Sequence, residues 1–307
     1  MISLEREVLR LQAAGAIDPD AAERLIARER RDVVSLYGEL RFLTWGGVML
    51  IVAGVGVLVS KHLDRIGPLA IACVIGIASL ACYGYSIWRR RSGRGHLTDD
   101  YILLLAALLA SAAVGYIESQ FHLLGPVWQR HFLILAVLHA VTAYTFDSRL
   151  VLSLSITALA AYIGIQQSLD ALFDSDTVFA VRAFITAAAV TAWRFLSRRP
   201  AFQPVFDHAA ANLAFWGALA LVFQRDTRLL GCLIALLFAG AAAWHGVRRG
   251  GEAFVIYAWI YGTIAVDVQV CTWLNDDALI FLYLIISTIA AIVGLFVTHA
   301  RMRKVPA

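Results

Sequence analysis

Long apolar stretches follow one another from about residue 41 to the end of the chain, and short clusters of charged residues separate them. A helix needs about 20 apolar residues to cross about 30 Å of hydrocarbon. The pattern predicts ten membrane-spanning helices, at 42–60, 68–88, 100–118, 131–147, 150–168, 177–196, 209–224, 229–247, 252–270 and 278–298. The predicted fold class is therefore all-α, a polytopic membrane helix bundle.

The first 40 residues have a different pattern, with many charges and with apolar residues at helical spacing. We expect a first helix that ends at Gly15, because glycine commonly follows a helix end. Asp18 and Pro19 then provide an N-cap and a first-turn proline for a second helix. The sequence thus predicts two domains, a cytoplasmic helical hairpin at 1–40 and a transmembrane bundle at 41–307.

Composition agrees with a membrane location and excludes a typical soluble domain. Of the 307 residues, 60% are hydrophobic and 16% are charged, and the mean hydropathy is +0.73. Soluble globular chains have roughly 45–50% apolar and about 25% charged residues. The chain therefore has too few charges to cover the surface of a soluble protein of this size.

Basic residues are distributed unequally between the two predicted sides of the bundle. One set of alternating segments contains 20 arginines and lysines, and the other set contains 5. Short cytoplasmic loops are enriched in these residues, so both termini are predicted to be cytoplasmic. Without the short span at 209–224, Arg248 and Arg249 would fall on the wrong side. This distribution favours ten spans, and the strong preference for arginine over lysine suggests a bacterial inner membrane.

Two segments near the start of the chain resemble a known family. They are AAGAIDPDAAERLIARE at 13–29 and, after a tyrosine-containing linker, RFLTWGGVMLIVAGVGVLV at 41–59. Together they resemble the bacterial predicted membrane proteins of the domain of unknown function 2157 family. The resemblance covers about the first 145 residues. It implies a bacterial membrane location, and it assigns no catalytic residue because no activity is established for that family.

Five polar residues lie within or at the ends of the predicted spans: Arg182, Asp267, Glu118, His139 and Gln166. Ionisable groups in a membrane are costly and usually face protein or a water-filled cavity. Arg182, Asp267 and Glu118 fall at a similar depth on the predicted outer side. We therefore predict a charge pair, with Asp267 as the first choice of partner for Arg182 and Glu118 as the second.

Such a pair has two interpretations. It could hold the bundle together, since a bilayer favours paired over separate charges and an arginine near a helix end can reach the headgroups. Alternatively, it could form the floor of an outward-open cavity, with Arg182 binding an anionic group and Glu118 or Asp267 taking part in proton coupling. Gln166 would then add a polar side chain at the same depth as these charges, while His139 lies deeper, in mid-span.

Other chemistry in the spans is weaker. Glu118 and His122 are four residues apart on one helix face and could bind a metal ion with His131, but His139 is better explained as a hydrogen-bonded histidine within the bundle. A disulfide between Cys232 and Cys271 is an alternative to simple packing of both thiols. Phosphate-loop, dinucleotide, zinc-protease and nucleophile-elbow motifs are missing, so neither a cofactor nor an enzymatic activity is predicted.

These observations leave two hypotheses for function. The first is a transporter or flippase-like protein for a small anionic or lipid-linked solute. The second is a non-catalytic scaffold or sensor whose hairpin at 1–40 binds a cytoplasmic protein. The expected partners are the lipid bilayer, that cytoplasmic protein and further copies of the chain. Nucleic acid is not expected, because the basic clusters are not interleaved with aromatic residues.

Overall fold

The computed structural model describes residues 37–62, 67–92, 97–123, 130–165, 177–249, 251–274 and 276–304, with isolated positions between residues 8 and 22. Most of the predicted hairpin at 1–40 therefore lies outside the described residues. Within it, Gly15 has a φ of +69°, and the Ala22 N–H donates to the Asp18 carbonyl oxygen over 2.9 Å. These local features agree with a helix end and a helix start, but the hairpin itself stays a prediction.

The described part of the chain is helical and contains no strand. Ten helices, each at one predicted span, are α1 Tyr37–His62, α2 Pro68–Arg91, α3 Leu97–Phe121, α4 Arg130–Phe146, α5 Arg149–Ile163, α6 Thr177–Leu196, α7 Gln203–Phe223, α8 Arg228–Arg249, α9 Glu252–Cys271 and α10 Asp277–Lys304. A short 3₁₀ turn at Pro200–Phe202 leads into α7.

Seven of the described helices, α2, α3 and α6 to α10, are long and apolar enough to cross a membrane. The other three helices are shorter as apolar segments. Among the described side chains of α1 the apolar stretch is Phe42–Gly54, and α4 and α5 have 17 and 15 residues. Fifteen residues rise only about 22 Å, which is short of the roughly 30 Å of hydrocarbon. The protein is thus a multi-pass membrane protein with seven candidate spans, and the total of ten stays a prediction.

Two predicted boundaries differ from the structure for local reasons. The helix of the span predicted at 150–168 ends at Ile163, because Gly164 adopts the left-handed conformation with a φ of +90°. The span predicted at 209–224 belongs to a helix that starts at Gln203 and has 21 residues. Asp207 and His208 interrupt the apolar pattern there without interrupting the helix.

Sequential helices pack in pairs: α2 against α3, α4 against α5, α6 against α7, and α8 against α9. The buried residues between them are mainly small or branched. At the contact of α8 with α9, a Cβ added at Gly262 would lie 3.5 Å from the Cβ of Ala239. Small residues at such contacts let helix backbones approach closely, which is how helices associate where water provides no hydrophobic drive.

Ion pairs join three helix–helix turns at one end of the bundle, which we call the basic end. The Asp147 carboxylate, in the α4–α5 turn, pairs with Arg90 at the end of α2 and with Arg199 just before α7. Arg89 pairs with Asp99 across the α2–α3 turn, and Arg194 pairs with Asp207 across the α6–α7 turn. Three of the turns that the charge distribution assigned to one side therefore lie together.

Helix α10 lies at the edge of the bundle. None of the residues of α10 whose side chains are described is buried, although it is the most apolar candidate span, with a mean hydropathy of 2.7. It packs mainly on α9. Most of its apolar surface is therefore available to lipid, and its contact with α9 determines how it is held.

Candidate functional site in a lateral groove

Arg182 and Asp267, the predicted charge pair, have separate partners. The Arg182 side chain is exposed on α6, and its Nη1 donates to the Gly164 carbonyl oxygen over 3.3 Å. Asp267 instead accepts hydrogen bonds from side chains of α10. The first-choice pairing of Arg182 with Asp267 is therefore wrong. Similar depth in the sequence pattern does not make two helices neighbours, and α6 packs mainly on α7 whereas α9 packs mainly on α8.

Glu118 and the two nearby histidines do not form a metal site. Glu118 and His131 are buried, with 4% and 3% of their surface exposed, whereas His122 is exposed and has a φ of +49°. Among the described residues, no three histidine, cysteine or carboxylate side chains are placed to hold a metal ion. The metal hypothesis for these three residues is therefore wrong.

His139 occupies the middle of the bundle, as predicted, and forms a hydrogen bond there. It is 2% exposed, and its Nε2 lies 2.7 Å from the Oγ of Ser111 on α3. Ser111 also donates to the Ala107 carbonyl oxygen of its own helix over 3.0 Å. The Nδ1 of His139 has no hydrogen-bond partner in the described part of the chain. The hydrogen bond expected for His139 within the bundle is therefore present.

The remaining sequence candidates add little to a site. Gln166 lies outside the described residues. Cys232 and Cys271 are both free thiols, the first buried and the second half-buried. The disulfide alternative is therefore wrong, and packing of the two thiols is the better description.

Asp267 is the polar centre of a site formed by α9 and α10. The Tyr283 hydroxyl donates to its Oδ1 over 2.9 Å, and the Ser287 hydroxyl donates to the same oxygen over 2.6 Å. Tyr283 and Ser287 are four residues apart, so they lie on one face of α10. The two hydroxyl groups thus attach α10 to α9 close to the end of the bundle opposite the basic end.

A groove of about 700 Å³ extends from this carboxylate between α8, α9 and α10. Its walls are mostly small residues, which leave space where larger side chains would pack: Ala239, Gly240, Ala243, Ala258, Gly262 and Ala290. Among its described lining residues, Asp267 carries the one charge. The groove is therefore mainly apolar, with a single carboxylate near one end.

The length and direction of the groove suit a molecule that lies along the bilayer normal. On α9 it extends from Val255 to Asp267, a rise of about 18 Å. This is more than half of the roughly 30 Å of hydrocarbon. Because α10 lies at the edge of the bundle, the space beside it is accessible from the lipid.

A network of polar side chains fixes the other face of α9 to α7. The Tyr261 hydroxyl donates to the Asn212 Oδ1 over 2.7 Å and accepts from the Trp216 indole N–H over 3.2 Å. One turn away, the Tyr257 hydroxyl lies 3.3 Å from the His208 Nδ1. These tyrosines are about 200° around the helix from the groove face, at 100° per residue. The α9 wall of the groove is therefore anchored from behind.

Sequence reasoning identified Asp267 but missed Tyr283, Ser287 and the small-residue walls. The missing signal was the four-residue spacing of two hydroxyl groups on the most apolar span, together with Ala258 and Gly262 at the same spacing on α9. Hydroxyl groups and small residues are common in membrane helices. Their alignment with Asp267 became evident only when the neighbours of α9 were known.

Comparison with known proteins supports the membrane assignment. Residues 9–152 match the family model described as predicted membrane protein (DUF2157), which confirms the resemblance seen in the sequence. Comparisons with curated proteins and with solved structures gave no match. The matched segment ends within α5, so the groove between α8, α9 and α10 lies outside it.

Proposed function

We propose that the protein is a transporter or flippase-like membrane protein that takes the apolar part of a lipid-linked solute into the groove between α8, α9 and α10. The observation that supports this is the groove itself, about 700 Å³ in volume, lined by small apolar residues and ending near one carboxylate. Ligand sites typically have volumes of about 300–1,000 Å³ and a few polar groups that orient the ligand. An amphiphile combines both features.

The positions of the charged residues favour a lipid-linked solute over a small anion. Arg182, the residue expected to bind an anionic group, is held against the Gly164 carbonyl and does not line the groove. The charged side chain that does line the groove is the Asp267 carboxylate, which would repel an anion.

We further propose that the protein spans a bacterial inner membrane with the basic end in the cytoplasm and with all ten helices in the bilayer. This orientation is supported by the arginines of three turns, which lie together at that end, since cytoplasmic loops carry the excess of basic residues. Cysteine labelling from each side of intact cells would test it. Accessibility of residue 147 from outside would overturn this orientation.

The transport proposal can be tested in vesicles by filling the groove. Purified protein is reconstituted into vesicles that contain a lipid with a fluorescent headgroup, and a membrane-impermeant quencher reports exchange between leaflets. The wild type should accelerate exchange over protein-free vesicles, and Ala290→Phe should abolish most of this acceleration because its ring enters the groove. Ile292→Phe is the matched control, since Ile292 is 54% exposed on the same helix and does not line the groove.

Two outcomes would reject transport through the groove. One is a wild-type rate equal to that of protein-free vesicles, and the other is an Ala290→Phe rate equal to the wild type. The scaffold alternative is tested by deleting residues 1–36. The transport proposal expects lipid exchange to survive this deletion, whereas the scaffold alternative expects loss of a protein partner and no exchange activity in either form.

A further inference from the structure

We infer that the headgroup bound at the end of the groove carries a primary ammonium, and that Asp267 is the residue that selects it. This inference rests on the proposed function, because it identifies the chemical class of the amphiphile that the groove takes. Three observations support it: the hydrogen bonding of the carboxylate, the lack of a basic side chain in the described lining, and the other polar residues of the groove.

The carboxylate of Asp267 is only half satisfied by the protein. Both hydroxyl groups that contact it, those of Tyr283 and Ser287, donate to Oδ1. In the described structure, Oδ2 accepts no hydrogen bond and enters no ion pair. Hydrogen-bond donors and nearby cations both stabilise a carboxylate. One donor position is therefore left for a ligand.

No basic side chain among the described residues is placed to supply that donor. The carboxylates paired with arginine, within the described residues, include Asp99, Asp147 and Asp207, all at the basic end. Asp267 lies in the half of α9 that is farther from the basic end. The described groove lining contains no lysine, arginine or histidine. In the described lining, the Asp267 carboxylate therefore has no basic side chain beside it.

A primary ammonium suits this position better than other headgroup cations. It has three N–H donors, one of which can reach the free Oδ2 of Asp267. Thr263, four residues earlier on the same face of α9, also lines the groove and provides a second acceptor oxygen. The rings of Trp259 and Tyr283 line the groove as well, and aromatic faces attract cations. A quaternary ammonium would gain the ring contact but could donate no hydrogen bond.

Asp267 also holds α10, so the test must separate selection from anchoring. Asp267→Asn keeps an oxygen that can accept from Tyr283 and Ser287 but removes the negative charge. The double change Tyr283→Phe with Ser287→Ala does the opposite, because it keeps the carboxylate and removes both hydroxyl groups. If Asp267 selects by charge, only the first variant should lose the preference for an amine.

The experiment uses the full-length protein in nanodiscs and three amphiphiles with the same alkyl chain: dodecylamine, dodecanol and dodecyltrimethylammonium. Each competes with a fluorescent lipid probe for the groove. The wild type should bind dodecylamine about tenfold more tightly than either of the others. Asp267→Asn should abolish this preference while dodecanol affinity stays within about twofold. Asp277→Asn, an exposed carboxylate at the same end, is the matched control and should leave the preference unchanged.

The outcomes distinguish failure of the inference from failure of the proposed function. If Ala290→Phe removes binding of the probe but the wild type shows no preference for dodecylamine, the groove binds amphiphiles and the inference is wrong. The inference is also wrong if Asp267→Asn keeps the preference, or if the double variant loses it. If Ala290→Phe leaves probe binding unchanged, the groove is not the binding site and the proposed function fails first.

Discussion

Gly164 and Arg182 provide a quantitative test of why an arginine lies in α6. Gly164 ends α5 with a φ of +90°, and the Ile165 N–H closes the cap by donating to the Ala160 carbonyl oxygen over 3.0 Å. A Cβ added at Gly164 would lie 2.9 Å from the Nη1 of Arg182. The guanidinium therefore occupies the space that only a glycine leaves, and its hydrogen bond joins α6 to the end of α5.

Gly164→Ala should destabilise the protein in two ways. The left-handed conformation costs a non-glycine residue about 1–2 kcal/mol. The new methyl group also displaces the guanidinium, and losing its hydrogen bond to a carbonyl costs about 0.5–1.5 kcal/mol. The expected loss is therefore about 1.5–3.5 kcal/mol. With Arg182→Ala already present, only the backbone cost should remain, so the two changes should be non-additive by about 1 kcal/mol.

The assay is equilibrium unfolding in mixed micelles, followed by far-UV circular dichroism, for both single variants and the double variant. Gly84→Ala is the control, since a Cβ at this helical glycine meets nothing within 4 Å. It should be neutral or stabilising by up to about 1 kcal/mol. Equal costs of Gly164→Ala with and without Arg182 would refute the contact between the guanidinium and the cap.

Three further variants test single features of the bundle. Ser148→Ala removes the side chain that accepts from the Val151 N–H at the start of α5 and should cost about 1 kcal/mol in the same unfolding assay. His139→Leu should change stability by less than about 1 kcal/mol, because it removes an unsatisfied Nδ1 and Ser111 keeps its bond to Ala107; a loss above 3 kcal/mol would contradict this. Gly294→Ala should push α10 away from the Trp259 ring, because the new methyl group would overlap the ring, and should raise the protease sensitivity of α10. Unchanged cleavage would show that α10 and Trp259 are not in close contact.

The helices were predictable because long apolar stretches alternate with clusters of charged residues along the chain. All ten described helices lie at predicted positions, including α7, whose predicted segment was the shortest. The errors in length have local causes. The end of α5 is set by the backbone conformation of Gly164, which hydropathy does not report, and α7 continues through Asp207 because Arg194 pairs with that carboxylate at the basic end.

The candidate site was only partly predictable, since depth and lateral neighbourhood are independent quantities. The sequence placed Arg182 and Asp267 at one depth, and from depth alone they should have paired. Which helices touch depends on small-residue contacts such as Ala239 with Gly262, which puts α8 beside α9. Asp267 was found because a carboxylate in a span is rare. Tyr283 and Ser287 were missed because hydroxyl groups in spans are common.

The two faces of α9 explain how this helix can border a groove that is open to lipid and still be held firmly in the bundle. On one face, Tyr257 and Tyr261 bind side chains of α7, and small residues pack against α8. On the other face, α10 is attached through hydrogen bonds to a single carboxylate, with no buried residue among its described side chains. A ligand that binds the free Oδ2 of Asp267 therefore binds at the contact that holds α10 to α9.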